Sequence, residues 1–138
     1  MFSIPISPRV YETDAFGHIN NTVVPGWFEK GREPLFRIFT PDLNIRTMPL
    51  IIARIEVDFL AELHYGSEVE VRSWLRKIGN SSMQVVQEAW QGGICGARGV
   101  CVMLHFDYAN KKAEPIPEDI RRLLEEHLIP EEPEAGAA

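Results

Sequence analysis

The chain is 138 residues long, 45% hydrophobic and 25% charged, with a formal net charge of -6: the profile of one ordinary globular domain. That excludes a collagen-like chain, low-complexity disorder, a disulfide scaffold and, since no apolar run approaches the ~20 residues of a bilayer span, a chain anchored by membrane helices. The acidity is uneven, because five of the 20 acids (Glu125, Glu126, Glu131, Glu132, Glu134) close the chain with no Lys or Arg among them, leaving 15 acids against 14 bases in residues 1–124, a near-neutral body without the basic excess of a duplex binder.

Met1-Phe2-Ser3-Ile4-Pro5 has neither a basic n-region nor an apolar h-region, so the expectation is a soluble, cytoplasmic protein. Ser3 to Glu12 reads as an extended edge strand, where its prolines are tolerated. Thr13 to Asn21 is rich in turn-formers and cap residues. A helix follows, with Trp27, Phe28, Leu35, Phe36, Ile38 and Phe39 recurring near the helical period against Glu29, Lys30, Arg32 and Glu33. Pro25 favours a start near Val24, Pro34 a kink further on, and Thr40-Pro41-Asp42 the end.

From Leu50 the period changes to two. Ile55, Val57 and Phe59 alternate with Arg54, Glu56 and Asp58, and Val69 and Val71 with Glu68, Glu70 and Arg72. Met83 to Trp90 and Ile94 to Asp107 form two further runs, with Gln91-Gly92-Gly93 turning between them. Four long strands joined by short turns read as an antiparallel meander. Cys95 and Cys101, six apart on one strand, are about 20 Å from each other at Cα, too far for a bridge, and no His or Cys nearby completes a zinc set. Pro117 opens a short helix with Ile120, Leu123 and Leu124 on its apolar face. The expected fold is α+β: a five-stranded antiparallel sheet curled around one long central helix, with a short C-terminal helix. Residues 1–129 form the domain and 130–138 an acidic, disordered tail.

The chemistry concentrates in Asp14 to Asn21, which packs a carboxylate, a glycine, an imidazole and two carboxamides into a strand-to-helix junction. The first N–H groups of a helix lack internal partners and carry the positive end of its dipole, so they can stabilise an oxyanion. A carboxylate beside them can attack a carbonyl or activate water. The structural alternatives are an Asx turn at Asp14, a cap at Asn20 or Asn21, and a satisfied loop histidine at His18. A metal set of Asp14, His18 and Asn20 is disfavoured by the break at Gly17 and by the want of a third strong ligand.

Tyr11-Glu12-Thr13-Asp14-Ala15-Phe16-Gly17-His18-Ile19-Asn20-Asn21, with Trp27-Phe28-Glu29 and Arg32 after it, resembles the signature of the 4-hydroxybenzoyl-CoA thioesterase-like family of hot-dog acyl-CoA thioesterases. The likeness continues through Ala53–Phe59, Tyr65–Val71 and Gly79-Asn80-Ser81-Ser82, and covers about residues 9–124. It implies hydrolysis of an acyl-CoA or acyl carrier protein thioester, with no metal and no cofactor beyond the CoA of the substrate. Asp14 is then the nucleophile or general base and the backbone N–H near Asn21 the oxyanion donor, while His18 and Asn20 shape the loop. Gly17, Trp27 and Ser82 become substrate contacts, and Arg76 and Lys77 candidates for CoA phosphates. Glu29 and Arg32, on the helix, read as a structural ion pair and hydrogen-bond anchor rather than as catalysts. The resemblance further implies a homodimer or homotetramer with the site between subunits, and neither nucleic acid nor membrane as partner. The alternatives are a hot-dog enoyl-CoA hydratase or dehydratase, in which His18 is recruited as base, and a non-catalytic acyl-CoA-binding protein.

Overall fold

The computed structural model describes residues 1–130; most of the expected tail, residues 131–138, lies outside them. Strand β1 (Phe2–Ile6) is followed by a single 3-10 turn at Val10–Glu12, helices α1 (Val24–Gly31) and α2 (Glu33–Phe39), strands β2 (Leu50–Phe59), β3 (Val69–Ile78), β4 (Ser82–Gln91), β5 (Ile94–Asp107) and β6 (Lys112–Ala113), and helix α3 (Glu118–Glu125). Every strand pair is antiparallel, in the order β1-β3-β4-β5-β2, with the short β6 beside β5. The sheet curls around the helical layer as a hot-dog half-barrel. The first strand is shorter than the expected Ser3–Glu12, because the chain turns at Val10.

The meander is real for β3-β4-β5, but β2 does not neighbour β3. Residues 60–68 carry the chain across one end of the sheet, and β2 takes its partner from β5, pairing Leu50 with His105 through Phe59 with Ala97. Fourteen residues long, β5 serves β2 on one side and β4 on the other. Alternation gives each strand its buried face and says nothing of which strand lies alongside.

The long helix is in two pieces. Pro34 has no N–H to return to the preceding turn, so α1 stops at Gly31 and α2 restarts with Pro34 in its first turn, where proline fits. Pro25 acts likewise at the other end: α1 starts at Val24, three residues beyond Asn21.

The face of the sheet toward the helices is laid down in rows of cross-strand neighbours, and opposite residues share a face. Val71 and Ala89 belong to an apolar cluster with Ile19, Val24, Trp27, Phe28 and Leu63. Leu75, Val85 and Cys101 belong to a second, with Leu35, Leu50, Met83, Met103 and Leu124. The row between them is polar: Ser73 faces Gln87, both buried. Gln87 donates through Nε2 to the Phe28 carbonyl (2.7 Å) and to Ser73 Oγ (2.9 Å), while its Oε1 accepts from Arg32 Nη1 (3.0 Å). Ser73 Oγ in turn donates to the Gly31 carbonyl (3.2 Å). This network satisfies the Gly31 carbonyl freed by the helix break, adds a second donor to the Phe28 carbonyl and seats α1 on the sheet. Arg32 is therefore paired with Gln87 rather than with Glu29, because the break turns its guanidinium inward. Burial lowers its pKa from the usual value.

Candidate active site

The loop before α1 is closed by its own backbone and by one side chain. Asp14 N–H donates to the His18 carbonyl (2.7 Å), and Thr13 bridges Ile19 in antiparallel fashion. Asp14 Oδ1 accepts from the N–H groups of Phe16 (2.8 Å) and His18 (3.1 Å). The reversal places Gly17 at φ +79°, a left-handed conformation that side chains disfavour. Asp14 thus does form the Asx turn allowed by the sequence. That structural role engages only Oδ1; Oδ2 accepts no hydrogen bond among the described residues.

Asn20 works in the next turn. Its Oδ1 accepts from Thr22 N–H and Thr22 Oγ (2.9 Å each), its N–H reaches the Glu12 carbonyl (2.8 Å), and its own carbonyl receives Val23 N–H (2.9 Å). With Asn20 thus occupied, the Asn21 N–H has no acceptor among the described residues. It sits beside the start of α1, where unpaired donors and the helix dipole favour negative charge.

Asp14, His18 and Asn21 line one cleft of about 390 Å³, together with Val24, Phe59 at the end of β2, and Leu60, Glu62, Leu63 and Gly96. His18 Nε2 lies 3.2 Å from Glu62 Oε2, and the His18 and His64 rings meet edge to face at 5.1 Å. Glu62 and His64 escape the sequence reading: they lie more than 40 residues from His18 on an unpatterned loop, and no local signal marks them. Gly96 escapes it as well. A Cβ there would stand 2.5 Å from Leu63, whose carbonyl receives Ile19 N–H (2.8 Å).

The remaining expected contacts fall elsewhere. Trp27 is buried in the core, its Nε1–H donating to Glu12 Oε2 (2.8 Å), and does not line the cleft. Ser82 pairs with Leu104, eight residues along β5 from Gly96, so it lies about 26 Å away at the other end of the sheet. Arg76, whose Nε donates to Gln84 Oε1 (2.7 Å), and Lys77 are at that same far end. One chain therefore gathers Asp14, Gly17, His18, Asn20 and Asn21, and leaves Ser82, Arg76 and Lys77 apart.

A second, larger groove of about 560 Å³ runs between the helices, residues 43–48 and the start of β2, lined chiefly by Phe36, Leu43, Ile45, Met48, Ile52 and Met103. Both clefts border β2, which is a sheet edge. Ile52, Ile55 and Phe59 face inward, opposite buried Met103, Cys101 and Ala97, yet are 39, 47 and 53% exposed. Among the described residues no cluster of His, Cys, Asp or Glu has the geometry to hold a metal ion, and no helix is long and apolar enough to cross a membrane. Cys95 and Cys101 are free, and burial pushes both thiols up.

A half-barrel sheet wrapped on a broken helix, with a carboxylate loop at the helix start, defines the hot-dog class of fold and site. The chain belongs to the Thioesterase-like superfamily, whose model matches residues 8–124. It is similar to a predicted thioesterase from Bacillus stearothermophilus, with 44% identity, a TM-score of 0.92, and coverage of 95% of this chain and 98% of that one. It is also similar to a thioesterase from Thermus thermophilus whose crystal structure holds coenzyme A and zinc, at 27% identity and TM-score 0.82, covering 91% and 92% of the two chains. A curated relative is the chloroplastic acyl-[acyl-carrier-protein] hydrolase FATB2 of Cuphea viscosissima, 26% identical over 97 residues; the match spans 68% of this chain but only 23% of that protein.

Proposed function

We propose that the protein hydrolyses an acyl-CoA or acyl carrier protein thioester to a free acid and a thiol, as its likeness to the 4-hydroxybenzoyl-CoA thioesterase-like family implies. The observation that carries this reading is the pairing, on one cleft, of the Asp14 carboxylate, held through a single oxygen, with the N–H of Asn21, three residues before α1, which has no acceptor among the described residues. The thioester carbonyl oxygen is received by that N–H, which stabilises the charge developing as the carbonyl carbon becomes tetrahedral. Asp14, through Oδ2, attacks that carbon or takes a proton from the attacking water. His18 and Asn20 keep the loop in register.

The site is completed by a second copy. A ten-residue edge strand with an exposed inward apolar row is a surface that proteins cover. Two β2 edges paired antiparallel about a two-fold axis set the Phe59 end of one copy beside the Leu50 end of the other. The far end of the second copy, carrying Ser82, Arg76 and Lys77, then lies on the Asp14 side, where basic groups suit CoA phosphates.

Purified protein is expected to release thiol from members of an acyl-CoA and acyl carrier protein panel, and Asp14→Ala to lower that release by at least 100-fold. Equal turnover in the variant refutes the assignment. The contact between His18 and Glu62 favours one second reading, a hydratase with His18 as base; hydration of an enoyl-CoA without thiol release decides for it. Tight binding with neither reaction marks a non-catalytic acyl-CoA binder.

A further inference from the structure

We propose that the larger groove, between the helices, residues 43–48 and the start of β2, binds a long-chain carboxylate, with its head group on the Arg32 guanidinium and its tail along the apolar wall.

Arg32 lines that groove and is 3% exposed. A buried cation is ordinarily paired with a carboxylate, because its lost hydration is otherwise uncompensated. Arg32 has no such pair among the described residues. Its Nη1 donates to Gln87 Oε1 (3.0 Å), a neutral acceptor, and its Nε is buried without a partner. Nη2 has no acceptor among the described residues either, and it is not sealed from solvent as Nε is. Nε and Nη2 share one edge of the planar guanidinium, the edge that holds a carboxylate through two parallel hydrogen bonds. Gln87 engages the remaining nitrogen, so both roles fit one side chain: Nη1 seats α1 on the sheet, and the opposite edge serves the groove.

The other charges lining the groove do not neutralise this cation. Glu33 is held by Lys30 (2.7 Å), and Glu29, one turn before Arg32, is exposed. Water screens an exposed carboxylate far more than a buried guanidinium, so the field at the base of the groove attracts an anion. Around Arg32, Phe36, Met48, Ile52 and Met103 present apolar surface that an anion as small as acetate leaves uncovered. An amphiphile covers both. A cavity of about 150 Å³ takes benzene, about 25 Å³ per carbon, so a ten-carbon tail needs roughly 250 Å³, and the groove offers about 560 Å³. Long-chain acids are also the class of product that hydrolysis of a long-chain thioester releases. Gly26 lines the same groove from α1, and a Cβ there meets nothing within 4 Å, so a larger side chain can be added at that point without strain.

The test uses the full-length protein with decanoate and decanol, two probes with one tail and different heads, followed by calorimetry and by nitrogen NMR of the arginine Nε–H groups. Wild type should bind decanoate at least about tenfold more tightly than decanol, the scale of one charged hydrogen bond. Decanoate should shift the Arg32 Nε–H signal, and decanol should leave it in place. Arg32→Met should reduce decanoate to the affinity of decanol, with decanol itself little changed. Gly26→Phe, favoured over glycine by helix propensity, should weaken both probes. Equal affinity for the two probes in wild type, an Nε–H signal that decanoate does not move, an Arg32→Met variant that binds decanoate as wild type does, or a Gly26→Phe variant unchanged toward both overturns the inference. If Arg32→Met does not fold, the wild-type NMR shift and Gly26→Phe decide. These measurements need no turnover, so a wild type without thiol release defeats the thioesterase reading and leaves carboxylate binding to be decided on its own.

Discussion

Gln87→Leu tests whether the polar row beneath the helix break holds α1 on the sheet. The side chains are similar in size, so the perturbation is the loss of three hydrogen bonds at a site only 1% exposed. Two losses are mild: the Phe28 carbonyl keeps the Arg32 N–H (3.1 Å), and Ser73 Oγ still donates to Gly31. The third is not. Arg32 is 3% exposed, its Nε already lacks a partner, and Nη1 loses Gln87, the acceptor of its side chain among the described residues. A charged hydrogen bond is worth about 1.5–3 kcal/mol and the neutral ones together roughly 1. The added apolar surface of leucine returns about 1 kcal/mol, so a net loss of about 1.5–3 kcal/mol is expected. At roughly 3–4 °C per kcal/mol for a domain of this size, Tm falls by about 5–12 °C. Urea unfolding of wild type, Gln87→Leu, Arg32→Met and the double variant measures it. Once the guanidinium is gone, Gln87→Leu should cost about 1–2 kcal/mol less, because no buried charge is left unpaired. A Gln87→Leu loss below about 1 kcal/mol, or strict additivity in the double variant, refutes the reasoning.

Gly96→Ala drives a methyl group into buried Leu63; urea unfolding should show about 2–3 kcal/mol lost, with thiol release falling as the Leu63–Ile19 link shifts. Ile55→Glu with Phe59→Glu places charge on the inward row of β2, and sedimentation should turn an oligomeric wild type into monomer with little activity; a wild type already monomeric at micromolar concentration rules out the β2 interface. Burial holds the thiols of Cys95 and Cys101 above the usual range, so the folded protein binds more protons than the unfolded chain in alkali. Their contribution to stability is complete below the unfolded thiol pKa of ~8.5 and is lost as pH rises beyond it. Unfolding free energy should therefore drop between pH 7.5 and 9.5 in wild type, and drop less in the Cys95→Ser, Cys101→Ser variant.

Local chemistry along the chain settles the elements and where the site begins. The two periods, 3.6 around Trp27–Phe39 and 2 from Leu50 onward, are properties of neighbouring residues, as are the stops at Pro25, Pro34 and Pro41 and the tight reversal through Gly17. The Asp14–Asn21 block was legible for the same reason: its carboxylate, glycine and asparagines act on neighbours within four residues, so the loop closes on itself. Whatever depends on which distant segments meet was left to the folded arrangement. Alternation assigns a buried face but not a neighbour, so nothing in β2 foretold that it would pair with β5 and leave its apolar row exposed. The helix pattern put Arg32 on a charged face beside Glu29; the turn forced by Pro34 sent it inward to Gln87, 55 residues away. Trp27 has the same aromatic character in a core as in a pocket, and packing chose the core. Glu62 reached His18 only because Gly96 lets Leu63 close against β5. Contacts of that kind are made by the fold and leave no periodic trace in the chain.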